Sequence, residues 1–299
     1  MSIGIRGSIV ALVTPMHRDG SLDLAVFDRL LDWHVESGTA AIVVVGTTGE
    51  SATLTVEEHC DLVAHCVRVS DRRIPVIAGT GSNSTAEALY FTESARKHGA
   101  DACLLVTPYY NKPSQEGLYQ HFKAVAEGVD IPQILYNVPG RTACDLALNT
   151  VDRLADLHNI VAIKDATGDV PRGLELVDRC GDRLVVYSGE DAITLQLMMG
   201  GAAGTISVTA NVAPALMAEM CALALAGNET AASATDARLA LLHRNLFLEA
   251  NPIPVKWALQ KMGLIDQGIR LPLVELDAKY QLQVSAALAQ AGIELPEAA

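Results

Sequence analysis

The sequence predicts an α/β protein folded as a (β/α)8 TIM barrel with a C-terminal helical extension. Three observations lead there. Eight short apolar segments recur along the chain, and their Val/Ile-rich runs are continuous rather than alternating, as strands buried on both faces of a parallel sheet require. Stretches with helix-start punctuation separate them. The 299 residues, 50% of them hydrophobic, can bury one large core, and α/β barrels of about 250 residues form single units. Eight successive βα units read most simply as a closed barrel, because a closed parallel sheet leaves no edge. An open doubly wound sheet is the structural alternative.

The strands are expected at 8–15 (SIVALVTP), 40–46 (AAIVVVG), 74–80 (IPVIAGT), 102–108 (ACLLVTP), 133–137 (QILYN), 159–165 (NIVAIKD), 183–189 (RLVVYSG) and 204–210 (GTISVTA). Between them, Thr55 to Glu58 and Ser84 to Glu87 spell capping boxes, in which hydroxyl and carboxylate satisfy orphan amides. Pro171 suits a first helical turn, where its missing N–H is no loss. Past residue 228 the strands stop. Three helices are expected at 230–248, 253–263 and 273–292, too many for the barrel alone. The organisation is therefore a barrel, 1–228, and a helical extension, 229–299, packed on it.

Composition excludes several classes. The net charge is −13 and no basic patch occurs, which argues against a nucleic-acid partner. Cys60, Cys66, Cys103, Cys144, Cys180 and Cys221 show no CxxC or ligand spacing. They read as buried small hydrophobes in a reducing cytosol, so a cytoplasmic location is expected. The early run SIVALV is too short for a signal peptide. Residues 192–218 carry no charge over the length of a membrane span, but Gly200, Gly201, Gly204, Asn211 and Pro214 interrupt them. A spanning helix needs about 20 mostly apolar residues, so a buried strand between packed helices is expected and no membrane partner.

Barrel chemistry sits in the loops at the C-terminal ends of the strands. Those places here hold GTTGES (46–51), PYYNKPS (108–114), YNVPGRT (136–142) and SGED (188–191), with Lys164 near the end of the sixth strand. Of seven lysines, six sit in helical or loop context that reads as polar; Lys164 alone ends a β-branched apolar run. A desolvated amine is what a nucleophile needs to attack a carbonyl and form a Schiff base. Asp165 could instead be a salt-bridge partner for it, although neighbours in a strand point to opposite faces. Tyr136 could act as proton donor and acceptor, or be core with a satisfied hydroxyl. Gly46-Thr47-Thr48-Gly49 could cradle a small carboxylate or be only a tight turn. Tyr109 and Tyr110 could plug the barrel mouth, and Arg141 could be a solvated loop residue. No HExxH, acidic triad or P-loop appears, so no metal is expected.

Taken together, GTTGESATL, PYYNKPSQEGLYQHF, LYNVPGRTACDL, IVAIKDATGD and TISVTANVAP resemble the dihydrodipicolinate (4-hydroxy-tetrahydrodipicolinate) synthase family. These are Schiff-base-forming class I aldolase-type lyases of the N-acetylneuraminate lyase superfamily, and the likeness runs from about residue 3 to 290. The resemblance implies condensation of pyruvate with L-aspartate 4-semialdehyde in the diaminopimelate route to lysine, with no cofactor beyond the imine. On it, Lys164 forms that imine, Tyr136 shuttles protons, and Thr47 and Tyr110 continue the relay, the tyrosine coming from a neighbouring subunit. Thr47, Thr48 and Ile206 hold the pyruvate carboxylate, Gly189 lines the pocket, and Arg141 binds the carboxylate of the semialdehyde. The implied assembly is a homotetramer, a dimer of dimers. Ser51, Ala52, His59, Asn83, Glu87 and Tyr109 match an inhibitory lysine site, where Val56 replaces a histidine common in lysine-sensitive members.

Two other functions compete. A pyruvate-releasing lyase for sialic or 2-keto-3-deoxy sugar acids shares the lysine and tyrosine, but Arg141 favours a short acceptor carrying its own carboxylate. A silent keto-acid-binding barrel would require loss of Lys164 or Tyr136, and both are present.

Overall fold

A computed structural model describes residues 3–296, so the first two residues of the expected barrel and the last three of the expected extension lie outside it. Eight strands pair in chain order, all parallel: β1 (Gly7–Ala11), β2 (Ala41–Val44), β3 (Val76–Gly79), β4 (Ala102–Val106), β5 (Gln133–Asn137), β6 (Ile160–Asp165), β7 (Val185–Ser188) and β8 (Gly204–Ser207). Pairing of β8 with β1 closes the barrel and rules out the open sheet. Gly204 makes the seam possible. It holds φ at +155°, and a Cβ there would come within 2.0 Å of the Gly7 carbonyl oxygen.

A helix follows every strand, from Leu24–Glu36 after β1 to Pro214–Leu225 after β8. The strand alternation divides the core in two. Ile134 and Tyr136 of β5 face a barrel-interior cluster with Ala162 and Tyr187, whereas Leu135 and Ile163 face the surrounding helices.

Most strands stop short of their expected ends because other groups take over the ladder. Beyond β1, the Val13 amide donates to the Asn211 side chain at 3.0 Å. Beyond β2, Val45 turns left-handed at φ +49°, which ends extended pairing. Beyond β8, the amides of Val208 and Thr209 donate to Asp191 and the chain turns.

The Thr55–Glu58 capping box is complete, but Ser84–Glu87 is half formed. Ser84 Oγ accepts from the Glu87 amide, while the Glu87 carboxylate is taken by the Ser82 hydroxyl. Pro171 lies in the first turn of the Val170–Cys180 helix, capped by Asp169. The three later helices are Glu229–Asn245, Ile253–Lys261 and Ala278–Gln290. The last starts five residues later than expected, where Asp277 caps it. The uncharged run is broken into short helices and β8, and no described helix is long and apolar enough to cross a membrane. All six cysteines are unpaired; burial pushes Cys66, Cys103 and Cys221 up to about 12, which leaves them inert.

Three buried histidines make the fold acid-sensitive. Burial lowers His34 to about 3 and both His59 and His121 to about 4. Protonating His34 or His121 would leave a buried N–H without an acceptor, since Nε2 of each has no partner. Below pH 6.5 the unfolded chain binds protons that these rings refuse, so stability falls as pH falls. The loss should be on the order of 2–3 kcal/mol per imidazole by pH 4. Thermal melts should show a steep drop in Tm between pH 6.5 and 4; a flat profile there would contradict the assignment.

Candidate active site

Lys164 ends up where its sequence context pointed. Only 5% exposed, it sits on β6 beside Tyr136 of β5, the two being direct partners in the ladder. Its Nζ lies 4.2 Å over the Tyr136 ring and makes no hydrogen bond or ion pair among the described residues. Asp165 points the other way, accepting from Arg172 Nε at 3.1 Å and Asn137 Nδ2 at 3.3 Å. The reading of Asp165 as holder of the lysine is therefore excluded.

The Tyr136–Lys164 pairing depends on a register shift. Gln133 pairs with Ile160 but Ile134 pairs with Ala162, so one extra residue, Val161, enters β6. Unshifted, Tyr136 would face Ile163. Gly189, after β7, leaves room for the lysine arm: a Cβ there would lie 2.8 Å from Lys164 Cε.

Around Lys164 lies a cavity of about 210 Å³, bordered by Thr47, Thr48, Tyr136, Arg141, Gly189 and Asn251. Arg141 stands at its mouth, with Nη2 donating to the Asn251 carbonyl at 3.2 Å. One expected member lies elsewhere. Ile206 is buried in the barrel interior rather than on the cavity wall, and Val208, two residues on, takes the wall position. Tyr110 is 88% exposed on the loop after β4, held at φ +74°, and does not reach the cavity of its own chain.

A wider cleft of about 500 Å³ adjoins the first and shares Thr47 and Arg141 with it. Ser51, Ala52, His59, Glu87 and Tyr109 line it, as does the exposed Val56. Asn83 is not on its wall; its carbonyl accepts from Asn111 Nδ2 at 2.9 Å.

Sequence reading missed a second buried lysine. Lys256 does not sit in polar helical context: it is 4% exposed, ion-paired with the buried Glu50, and donates to the Thr14 carbonyl at 3.0 Å. Burial lowers its pKa, against the opposing pull of Glu50. The signal was present, since Lys256 interrupts the apolar run Ile253 to Leu259 as Lys164 does its strand. Glu190 was also passed over. It lines the cavity, and burial together with Asp191 raises its carboxyl above the usual range, while Lys164 pulls it back. Asn251 reaches the cavity from the extension, its Oδ1 buried without a partner.

Set beside known proteins, residues 4–291 match the Dihydrodipicolinate synthetase family. The 4-hydroxy-tetrahydrodipicolinate synthase of Thioalkalivibrio sulfidiphilus is 61% identical over 97% of this chain and 98% of its own. That of Alcanivorax borkumensis is 60% identical over the same shares. Among solved structures, the chloride-inhibited dihydrodipicolinate synthase of Acinetobacter baumannii, complexed with pyruvate, superimposes with a TM-score of 0.96. It is 57% identical and covers 97% of this chain and 100% of that one.

Proposed function

The chain belongs to the dihydrodipicolinate synthetase family, and from that premise we propose how its cavity condenses pyruvate with L-aspartate 4-semialdehyde. The reaction is that of a Schiff-base-forming, aldolase-type lyase. The observation that carries our assignment of roles is the buried Lys164 amine, free of any ion pair among the described residues and stacked over Tyr136.

The amine attacks the keto carbon of pyruvate, and the carbinolamine loses water to give an imine. That imine draws electrons from the methyl group, which gives up a proton and becomes an enamine. The enamine carbon then bonds to the aldehyde carbon of the second substrate. Finally the semialdehyde's own amine attacks the imine carbon and displaces Lys164, closing the ring. Tyr136, the ladder neighbour of Lys164, has a phenol that can give and take the protons these steps move. Thr47 extends that relay, and Thr47 and Thr48 offer amides and hydroxyls to the pyruvate carboxylate. The imine is the electron sink, so this chemistry needs neither cofactor nor metal.

Arg141 supports a short acceptor carrying a carboxylate over a sugar acid, because its fork stands at the cavity mouth. Arg141→Ala should raise the KM for semialdehyde by about 10- to 100-fold, the value of a charge-assisted bidentate pair, with little change for pyruvate. Equal effects on both substrates would remove Arg141 from this role. Intact mass after borohydride reduction with pyruvate tests the imine. A pyruvyl adduct on Lys164 that prior semialdehyde discharges fits the synthase; one that survives would point to a sugar-acid lyase.

Our proposal extends to assembly and control. Tyr110 is exposed and backbone-strained, which suits a side chain completed by a second copy in a dimer of dimers. The wide cleft, with Glu87 and Tyr109 on its wall, suits free lysine, and its shared Thr47 and Arg141 would carry the effect. A cytoplasmic location accords with six unpaired cysteines.

A further inference from the structure

The turn from Gly46 to Ser51, which carries the carboxylate-binding Thr47 and Thr48, is anchored from behind by the C-terminal extension. Glu50 is left-handed at φ +57° and 4% exposed, so its carboxylate points inward rather than to water. There it meets the Lys256 ammonium, from a helix 206 residues further along the chain, and the Arg270 amide donates to its second oxygen at 3.1 Å. Lys256 also donates to the Thr14 carbonyl, and the Thr14 hydroxyl donates to the Gly49 carbonyl at 2.7 Å. Asn251 Nδ2 donates to Thr48 Oγ1 at 2.9 Å. Four of these contacts grip the turn itself, the Lys256–Thr14 bond ties the anchor to the strand-end loop behind it, and none touches Lys164.

We propose that the buried Glu50–Lys256 ion pair is the positioning device for the pyruvate carboxylate site, with Thr14 and Asn251 as its second and third anchors. This inference rests on the function proposed above. A buried ion pair is a weak source of net stability, because desolvation offsets most of the attraction; its best-attested use is to set registry. Here the registry it sets is that of two threonines whose amides and hydroxyls must converge on one small anion. It also gives the extension a role that closing a barrel does not require.

The test is the charge-free double variant Glu50→Gln/Lys256→Met, which keeps volume and leaves no lone buried charge. It should fold, with unchanged far-UV circular dichroism, and its pyruvate KM should rise about tenfold or more while the semialdehyde KM moves less than about threefold. Titrating the amount of borohydride-trapped adduct against pyruvate should show the same shift, with full labelling at saturation. A merely structural role would lower the labelled fraction and leave half-saturation where it was. Thr14→Val is the second variant, for use if the double variant does not fold, and should shift pyruvate half-saturation in the same direction by a smaller factor. Unchanged pyruvate half-saturation in whichever variant folds overturns the inference. Absence of any pyruvate adduct in the unaltered protein would instead overturn the proposed function.

Discussion

Replacing Lys164 by alanine should lower turnover on the order of a thousandfold or more and eliminate the borohydride-trapped pyruvate adduct. Among the described residues no second amine is placed to substitute, since Lys256, the other buried lysine, is committed to Glu50 and Thr14. Folding should survive. The Lys164 amine is buried with no hydrogen bond among the described residues, so deleting it removes a desolvation cost and should leave Tm level or higher, despite the space left behind. Activity like that of the unaltered protein, or an adduct of the same mass, would refute the mechanism. A large drop in Tm would mean that the lysine is part of the scaffold.

Tyr136→Phe should be the second most damaging change. The ring over Lys164 remains, so packing and the cation–π contact are kept, and only the phenol is lost. General acid–base groups contribute about 10²- to 10⁴-fold, so kcat should fall by that order while the KM values move little. The pyruvate adduct should still form, but slowly, because carbinolamine dehydration loses its proton donor. A normal rate of adduct formation would take Tyr136 out of the relay and leave it as a packing residue beneath the lysine.

Both variants bear on residues that the sequence exposed, and the reason they were visible is local. A charge at the end of a β-branched run stands out because periodicity and burial are written into neighbouring residues. The same holds for the eight strands, the complete capping box at Thr55 and the three helices after residue 228. A half-formed box at Ser84 marks the edge of that legibility. The motif was correct, but Ser82, two residues outside it, captured the carboxylate.

By itself, then, the sequence determined the barrel, its strand count and the lysine at the end of β6, since each follows from short-range pattern. Only the tertiary structure decided who meets whom. The extra residue at Val161 brings Tyr136 beside Lys164 instead of Ile163. The close approach of β7 makes Gly189 the wall of the lysine arm. Ile206 sinks into the interior, Tyr110 turns outward, and Lys256 crosses the molecule to Glu50. Register, backbone handedness and pairing across two hundred residues are set by how whole elements pack, and no local window of sequence contains that information.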